Sequence, residues 1–449
     1  MTMKTNKSQN LKSIPTGYKQ TEVGIIPEDW KVSSIGDLCV IFGRIGFRGY
    51  TKADIVSQDQ GVLSISPSNI FDGRTNFTHG TYITRQKYEE SPEIKIYEDD
   101  ILLVKTGSTY GKIALVKNLK EDATLNPQVV VFKRLKSPAA FLAYIMQSDI
   151  VQNQIEETIV GGAIPTLSQK VVLSYKIPLP TPREQLAIAN VLSDTDALII
   201  AIEQLIAKKK DIKTATMQQL LTGRTRLPQF AKHPDGVLKG NKPSELGLIP
   251  EDWICVKLGE IGQCIIGLTY SPRDVSDTGT LVLRSSNVQN NKLAYQDNVF
   301  VNMDLPERVI VRKGDILICV RNGSRKLIGK CALIDHAAEG CAFGAFMAIY
   351  RTKAHDFIFY QFQSNLIHNQ IDETMGATIN QITNKDLSGF IISMPSCDQE
   401  QTAIATILLD MDAELEALEQ KLAKIRDIKQ GMIQQLLTGR IRLPLEQQP

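Results

Sequence analysis

Two glycine-flanked loops carry the densest groups of hydrogen-bond donors in the chain. Each follows an apolar run: GSTYGK spans residues 107–112, and GSRKLIGK spans residues 323–330. Arg and Lys suit guanine edges and phosphates, Asn suits adenine, and hydroxyl groups suit several partners. We therefore predict that these loops contact DNA. For any single residue, the alternative is ordinary solvated surface.

The predicted DNA contacts comprise these loops and the basic segments near them. In the first half of the chain they are Arg44, Arg48, Tyr50, Lys52, Arg74, Lys105, Thr106, Ser108, Thr109, Tyr110 and Lys112. In the second half they are Arg273, Arg284, Asn287, Arg321, Asn322, Ser324, Arg325, Lys326 and Lys330. Because the net charge of the whole chain is only +2, any nucleic-acid surface must be local.

Neither loop has the spacing of a nucleotide-binding loop. A Walker A loop is GxxxxGK followed by Ser or Thr, and that spacing aims the backbone amides and the Lys at the phosphates. GSTYGK is one residue too short and precedes Ile113, whereas GSRKLIGK is one residue too long and precedes Cys331. These opposite errors argue against ATP binding.

The motifs of common enzymes are also missing from the sequence. It contains no GxSxG and no HExxH, and Asn126-Pro127-Gln128 lacks the second Pro and the aromatic residue of amino-methyltransferases. The five His residues show no metal-like pairing, and acidic pairs such as Asp99-Asp100 are typical of turns. We therefore predict no catalytic residue and no metal site in this chain. A nuclease or methyltransferase that acts alone is the rival hypothesis.

The loops belong to two tandem copies of one larger unit. KDIKTATMQQLLTGRTRLP, residues 210–228, recurs as RDIKQGMIQQLLTGRIRLP, residues 426–444, with 13 of 19 positions identical. VGIIPEDW at 23–30 likewise matches LGLIPEDW at 246–253. Units of this size are too long for a solenoid, so they indicate a duplicated domain. Two equivalent surfaces that bind two equivalent targets are the functional interpretation, and a pseudo-symmetric scaffold that binds no DNA is the alternative.

Each copy closes with a predicted long helix. The first runs about 39 residues from Pro182 without Gly or Pro and ends at Gly223, and the second follows Pro395 and ends at Gly439. Heptad spacing of apolar residues predicts an antiparallel coiled coil, in which Glu414, Glu416 and Glu419 face Lys208, Lys209 and Lys210. Packing of each helix on its own domain is the alternative. The predicted coiled-coil or subunit-docking residues are Glu184, Gln185, Leu192, Ile199, Ile202, Ile206, Glu400, Gln401, Leu408, Leu415, Leu418 and Leu422.

The larger part of each copy is predicted to be α+β. Short β-branched runs such as DDILLVK and GDILICV alternate with turn residues, and each copy then has one short amphipathic helix. The predicted fold is two tandem mixed α/β target-recognition domains, each followed by a long helix. The predicted segments are a polar tail 1–17, a first recognition domain 18–180, a first helix 181–225, a linker 226–240, a second recognition domain 241–395, a second helix 396–440 and a tail 441–449.

Composition places the chain among globular proteins, with 43% hydrophobic and 22% charged residues. The seven Cys residues are odd in number and widely spaced, so they are predicted to be buried thiols in a reducing cytoplasm. No apolar stretch is expected to span a membrane. A cytoplasmic location is therefore predicted.

The duplicated motifs resemble those of the DNA-specificity subunit of type I restriction-modification systems, the HsdS family. The resemblance rests on the GIIPEDW motif at the start of the domain, the predicted strands DILLVK and DILICV, and the motifs QQLLTGRTRL and QQLLTGRIRL at the ends of the two long helices. It implies a non-catalytic chain that recognises a bipartite, asymmetric double-stranded DNA target, one half-site per domain, with the coiled coil setting the gap. It also implies partners: two modification (methyltransferase) subunits and restriction (endonuclease/translocase) subunits. S-adenosylmethionine, ATP and Mg²⁺ would then bind those partners and not this chain.

Overall fold

A computed structural model describes residues 14–158, 166–376 and 380–444. The chain forms two compact units. The first contains the residues up to Glu203 and those from Lys421 onward, and the second is Gln204–Gln420. Each unit thus combines one recognition domain with a segment of both long helices. This division differs from the predicted sequential one, in which each helix belongs to a single copy.

The first unit begins with a two-stranded hairpin and continues into two mixed sheets. Its strands are β1 Tyr18–Thr21, β2 Gly24–Pro27, β3 Lys31–Ser34, β4 Val40–Gly43, β5 Ile55–Val56, β6 Val62–Ile65, β7 Ile70–Phe71, β8 Arg74–Thr75, β9 Thr81–Ile83, β10 Ile101–Val104, β11 Ile113–Leu115, β12 Ala123–Leu125, β13 Val129–Lys133 and β14 Lys176–Leu179. Its helices are α1 Ile35–Leu38, α2 Arg85–Glu89, α3 Ala139–Gln147, α4 Asp149–Thr158, α5 Gln169–Ser174 and the start of α6 Pro182–Leu220.

The second unit repeats this order of strands. Its strands are β15 Asn241–Ser244, β16 Gly247–Pro250, β17 Trp253–Lys257, β18 Gly262–Ile266, β19 Val275–Ser276, β20 Thr280–Leu283, β21 Val288–Gln289, β22 Lys292–Leu293, β23 Phe300–Val301, β24 Ile316–Cys319, β25 Cys331–Leu333, β26 Ala342–Phe343, β27 Met347–Thr352 and β28 Ile391–Pro395. A 3₁₀ turn at Glu307–Val309 lies between β23 and β24. Its helices are the end of α6 from Gln204, α7 Leu258–Ile261, α8 His355–Phe362, α9 Asn365–Thr374, α10 Asn384–Gly389 and α11 Asp398–Leu436 as far as Gln420.

The apolar runs form the central strands of corresponding sheets. In the first unit the order is β4-β13-β10-β11-β8-β7, and in the second it is β18-β27-β24-β25. All four residues of β10 and of β24 are buried, because other elements cover both faces of these strands. Antiparallel and parallel pairs occur together, as in β10 with β13 and β11 with β8. The predicted α+β class with mixed sheets is confirmed.

Two helices stand where one amphipathic helix per copy was predicted. The break falls at Ser148 in the first unit and at Ser364 in the second, between α3 and α4 and between α8 and α9. Ser364 has an extended backbone and its hydroxyl accepts a hydrogen bond from the amide of Ile367, so it caps the second helix. The hydrophobic pattern continues across the Ser, which is why the sequence suggested one helix.

The first long helix has the predicted length of about 39 residues, but the two helices end at Leu220 and Leu436, before the predicted bounds of 225 and 440. α6 and α11 each contain 39 residues. Each places a Glu at its third position, Glu184 or Glu400, so the extra residue after Pro395 is accommodated before the helix begins. Both helices are followed by a glycine with positive φ, 68° at Gly223 and 69° at Gly439. Such a left-handed residue ends a helix and favours glycine.

Segments of the two long helices pair antiparallel within each unit. In the first unit Asp196 pairs with Lys429, and Glu203 pairs with Arg426, both at 2.7 Å. In the second unit Lys209 pairs with Glu414 at 2.7 Å and Lys210 with Glu419 at 2.8 Å, as the charges predicted. The predicted seam residues Leu192, Ile199, Ile202, Ile206, Leu408 and Leu415 are buried, whereas Leu418 and Leu422 are half-buried. The coiled coil itself stays a prediction.

One acidic residue of the predicted seam has a different partner. Glu416 pairs with Lys292, which begins β22, at 2.7 Å instead of with a lysine of α6. The interaction joins the recognition domain of the second unit to α11. Charge matching between the two helices missed it because Lys292 belongs to the recognition domain and not to α6.

Two predictions from composition need correction. By length and composition alone, α6 is long and apolar enough to cross a membrane, and 33% of its most apolar stretch is buried. Its apolar content reflects a buried seam and additional exposed residues such as Leu198 and Leu205. All seven Cys residues are free, but Cys255, Cys264, Cys341 and Cys397 are only half-buried. Burial raises the pKa of Cys39 and of Cys331 to about 12.

Candidate nucleic-acid interface

The recognition loop of the first unit, residues 105–112, joins the antiparallel strands β10 and β11. Gly107 and Gly111 have φ values of 107° and 81°, which allow the tight turn. A Cβ on Gly111 would lie 3.3 Å from the side chain of Ile155, so this end of the loop lies against α4. Ser108 and Lys112 are exposed, whereas the ring of Tyr110 packs at the edge of the core. Tyr110 is thus partly committed to packing.

The recognition loop of the second unit, residues 320–330, is three residues longer. Ile101 pairs with Leu115 in the first hairpin, whereas Ile316 pairs with Leu333 in the second. The extra residues form a short 3₁₀ turn at Arg325–Leu327. Both loops join two strands, whereas a Walker A loop joins a strand to a helix. Their setting therefore agrees with the argument against a P-loop.

The structure brings several predicted residues of the second unit together. The side-chain amide of Asn322 donates to Ser285 Oγ at 3.1 Å, and Lys330 Nζ donates to the Ser285 carbonyl at 3.2 Å. The guanidinium of Arg321 lies over the ring of Phe346, 5.1 Å from its centroid. Loop residues and the turn that follows β20 thus form one continuous surface. Phe346 was missed by the sequence analysis, although an exposed aromatic residue beside a basic loop is a signal of binding.

The prediction for Arg44 is wrong. Its side chain is buried at 5% exposure, with Nε donating to the Leu125 carbonyl at 2.8 Å and Nη2 donating to Thr124 Oγ1 at 3.1 Å. The guanidinium also lies over the ring of Tyr50, whose hydroxyl accepts a hydrogen bond from Ser64. Arg44 therefore ties the two sheets of its own domain together and is not available to DNA.

The prediction for Asn287 is also wrong. Asn287 is fully buried, and its side-chain oxygen accepts from the Arg284 amide while its nitrogen donates to the Ala294 carbonyl. Asn69 has the same place in the first unit and donates to the Asn76 and His79 carbonyls. An Asn at this position stabilises a turn. The presence of Asn69 and Asn287 at corresponding positions of the two copies was the available signal for this structural role.

Other predicted contacts are exposed to different extents and have partners within their units. Arg74 pairs with Glu203 of α6 at 3.1 Å, Arg284 with Asp297 at 2.9 Å, Arg325 with Asp372 at 3.4 Å and Arg48 with Glu93 at 3.4 Å. Lys52, Lys112, Arg273, Arg321, Ser324 and Lys326 are exposed, and Lys105, Thr106 and Thr109 are half-buried. Surface ion pairs are weak, so they do not exclude exchange for phosphate contacts. DNA binding by these residues stays a prediction.

Four residues predicted to dock partner subunits are instead buried within their own units. Glu184, Gln185, Glu400 and Gln401 are between 2% and 8% exposed. The side-chain amides of Gln185 and Gln401 donate to the carbonyls of Pro180 and Pro395 at the helix starts. These four residues hold the beginning of each helix against its domain, so direct docking by them is contradicted.

The two glutamates accept hydrogen bonds from the last arginine of the repeated closing motif. In the second unit Arg226 donates to Glu400 at 2.7 and 2.8 Å and to Asp252 of the PEDW motif at 2.7 Å. In the first unit Arg442 donates to Glu184 at 2.7 Å and to Asp29 at 3.0 Å. We call these groups the Arg226 clasp and the Arg442 clasp. Residues 226–240 and 441–444, predicted as linker and tail, thus contribute to structure.

The Arg226 clasp perturbs the ionisation of Asp252. Burial opposes the charged form, but hydrogen bonds from Arg226 and Lys239 outweigh it and lower the pKa of Asp252 to about 2. Trp253 lies beside the clasp with its indole nitrogen 3.4 Å from Glu400. A Cβ on Gly223 would meet Pro250 at 2.5 Å, so the helix end packs closely on the PEDW segment.

A second duplicated group joins each domain to both helix segments. Tyr144 donates to Asp196 at 2.6 Å, and Lys429 lies 5.4 Å from the centre of the tyrosine ring. Tyr360 donates to Asp412 at 2.8 Å, and Lys213 lies 5.3 Å from its ring centre. Burial raises the pKa of both tyrosines. These contacts hold the recognition domain on the helix pair in the same way in each unit.

Comparison with known proteins identifies the family. Residues 27–214 and 250–427 match the model of the type I restriction modification DNA specificity domain. The chain belongs to this family. It is 28% identical over 433 residues to the type I restriction enzyme MjaVIII specificity subunit of Methanocaldococcus jannaschii, with 93% of this chain and 94% of that protein covered. The family assigns the chain the role of a specificity subunit in such a system.

Further relatives agree with this assignment. The EcoKI specificity subunit of Escherichia coli is 29% identical over 204 residues, which cover 43% of this chain and 44% of that protein. The crystal structure of a type I restriction-modification S subunit from M. genitalium has a TM-score of 0.55 at 17% identity, with 91% of this chain and 96% of that chain covered. The similarity to that structure shows a shared fold.

Proposed function

We propose that this chain recognises a bipartite, asymmetric double-stranded DNA sequence, with one half-site for each recognition domain. The observation that carries the proposal is the contrast between duplicated and unduplicated parts. The clasps, the Tyr–Asp–Lys groups and the PEDW entries are repeated almost unchanged, whereas the recognition loops differ in length by three residues. Equivalent scaffolds with different loops suit two different half-sites.

The proposal gives the two long helices the role of a spacer. A 39-residue helix is roughly 60 Å long at 1.5 Å per residue. Antiparallel pairing of its segments would keep the two recognition surfaces at a constant separation, and this separation would set the unspecified gap of the target. The clasps support the proposal because they resist rotation of each domain on the helices.

We also propose that methyltransferase and restriction subunits bind this chain and supply the catalysis. S-adenosylmethionine, ATP and Mg²⁺ would bind those subunits. Among residues 14–158, 166–376 and 380–444, no group of three or more His, Cys, Asp and Glu side chains is arranged to hold a metal ion. The proposed location is the cytoplasm, where the free thiols stay reduced.

Methylome sequencing tests the proposal in a host that carries this chain with its modification subunits. The expected result is one methylated motif with two specified halves separated by a fixed unspecified gap. Insertion of seven residues into each long helix lengthens the pair by about 10 Å and should widen the gap by about three base pairs without changing either half. A continuous motif, or a gap that the insertion leaves unchanged, would contradict the proposal.

A further inference from the structure

The second unit contains a cavity of about 710 Å³ beside its recognition loop. Its lining includes the buried side chains of Leu268 and Met347, the ring of Tyr270 and the exposed ring of Phe346. Arg284, Ser285 and Ser286 line it as well. The cavity therefore combines apolar and aromatic surface with hydrogen-bonding side chains, and its volume is ample for one nucleotide-sized group.

Phe346 is the most exposed aromatic residue of the lining, with 56% of its surface accessible. The guanidinium of Arg321 lies over its ring and keeps the positive charge beside the cavity. A large exposed aromatic face flanked by arginine is suited to stacking on a nucleobase.

Two polar atoms of the lining residues lack partners among the described residues. Arg284 Nε and Ser286 Oγ are both shielded from solvent and make no hydrogen bond there. Leaving such an atom unpaired costs roughly 1–3 kcal/mol, so an acceptor that bonded it would be favoured. Both atoms are hydrogen-bond donors of residues that line the cavity, and a turn of either side chain would present its donor to a carbonyl acceptor such as that of thymine or guanine.

The first unit has different residues at the corresponding positions. Arg44 directly follows β4, whereas Gly267 directly follows β18 in the second unit. Arg44 extends over Tyr50, the counterpart of Tyr270, and bonds the neighbouring strand. A side chain at Gly267 would collide with the Gly344 carbonyl. Gln128, which directly precedes β13, stands where Phe346 directly precedes β27. The combination of small and aromatic residues is thus specific to the second domain.

We propose that the cavity holds one unstacked nucleobase of the DNA half-site that the second domain recognises, with Phe346 stacked on the base. The inference rests on the proposed function and adds a site to it. Arg284 and Ser286 turn to donate to the edge of the base, and Arg321 stays over the Phe346 ring and holds it for stacking. Extrusion of the base costs a few kcal/mol, which stacking and hydrogen bonds in the cavity offset.

The test uses the full chain in complex with its modification subunits and a duplex that carries the methylome-defined motif. A series of duplexes replaces one nucleotide at a time in both half-sites with an abasic analogue. Dissociation constants are measured for the wild type, for Phe346→Ala and for Ala345→Phe, which fills the cavity from an exposed lining position. Phe71→Ala, which removes an even more exposed ring in the first unit, and Gln128→Ala are the matched controls.

The wild type should lose on the order of 10-fold affinity at one abasic position of one half-site, because base stacking contributes roughly that much. Phe346→Ala and Ala345→Phe should weaken binding to the intact duplex by a similar factor. For these variants, the abasic analogue at the sensitive position should reduce affinity by less than a further 2-fold. If the effects of the substitution and of the abasic analogue on affinity are additive at every position, the inference is overturned while the proposed function is left intact. A wild-type complex with no preference for the motif over a scrambled duplex would overturn both.

Discussion

Removal of Arg226 should destabilise the second unit far more than removal of an ordinary surface arginine. Its side chain is only 11% exposed, and that of its partner Glu400 is 2% exposed. Arg226→Ala leaves the carboxylate of Glu400 buried without its cation, and such a loss costs about 3–5 kcal/mol. Because a unit of this size loses about 2–4 °C in Tm per kcal/mol, we expect Tm to fall by about 10 °C.

Hydrogen exchange followed by mass spectrometry assigns this loss to a unit. Peptides from Gln204–Gln420 should exchange faster in Arg226→Ala, and peptides from residues 14–158 should not. Arg442→Ala is the matched variant, and it should have a smaller effect on the first unit because the Arg442 side chain is 42% exposed. Arg85→Ala, which breaks an exposed pair with Asp122, should change stability by less than about 1 kcal/mol.

A double substitution separates the loss of packing from the unpaired charge. Arg226→Met with Glu400→Leu removes both buried charges and should recover most of the stability lost in Arg226→Ala. If Arg226→Ala lowers Tm no more than Arg85→Ala, the clasp does not stabilise the unit and this reasoning is wrong. If the double variant is as unstable as Arg226→Ala, the unpaired glutamate is not the cause.

Three further predictions concern acid stability, helix ends and base preference. The pKa of Asp252 is lowered to about 2, so the stability that its charge contributes is complete above its ordinary pKa near 3.8 and is lost as the pH falls from about 4 toward 2. In urea titrations, Asp252→Asn should therefore make the free energy of unfolding fall less over this pH range. An unchanged pH profile would argue against this role of Asp252. Gly223→Ala should destabilise by at least about 1 kcal/mol, because φ is +68° and the new Cβ meets Pro250. Its control Gly431→Ala, inside α11 with open space around it, should stabilise by up to about 1 kcal/mol. Denaturation curves in which both substitutions change the free energy of unfolding in the same direction would refute this prediction. Arg321→Ala should relax base preference in one half-site only, as measured by a binding-site selection assay, whereas uniform weakening on all sequences would identify a phosphate contact.

The helices and the duplication could be predicted because their signals are local. Pro182 and Gly223 bound the first long helix, and heptad spacing marks its buried seam. The charges of Lys209 and Glu414 indicated the antiparallel direction of the pair. These features depend on residues close in sequence or on a regular period, and tertiary context did not override them.

The roles of individual polar residues could not be predicted in the same way. Arg44 and Arg321 have the same chemistry and both lie near a glycine-containing loop, yet only Arg321 is exposed. Arg226 and Glu400 are 174 residues apart, so only the fold brings them together. Repetition was the available signal, because the arginine, the aspartate of PEDW and the glutamate occur in both copies. A repeated charged residue identified a shared role without revealing whether that role was binding or structure.

The most direct test of the two-domain account replaces residues 241–395 with a second copy of residues 18–180. The methylome of a host that carries this chain and its modification subunits is then compared with that of the wild type. The account predicts a symmetric motif in which both halves equal the half-site of the first domain, with an unchanged gap. A motif that keeps the second wild-type half, or one in which both halves change, would contradict recognition of one half-site by each domain.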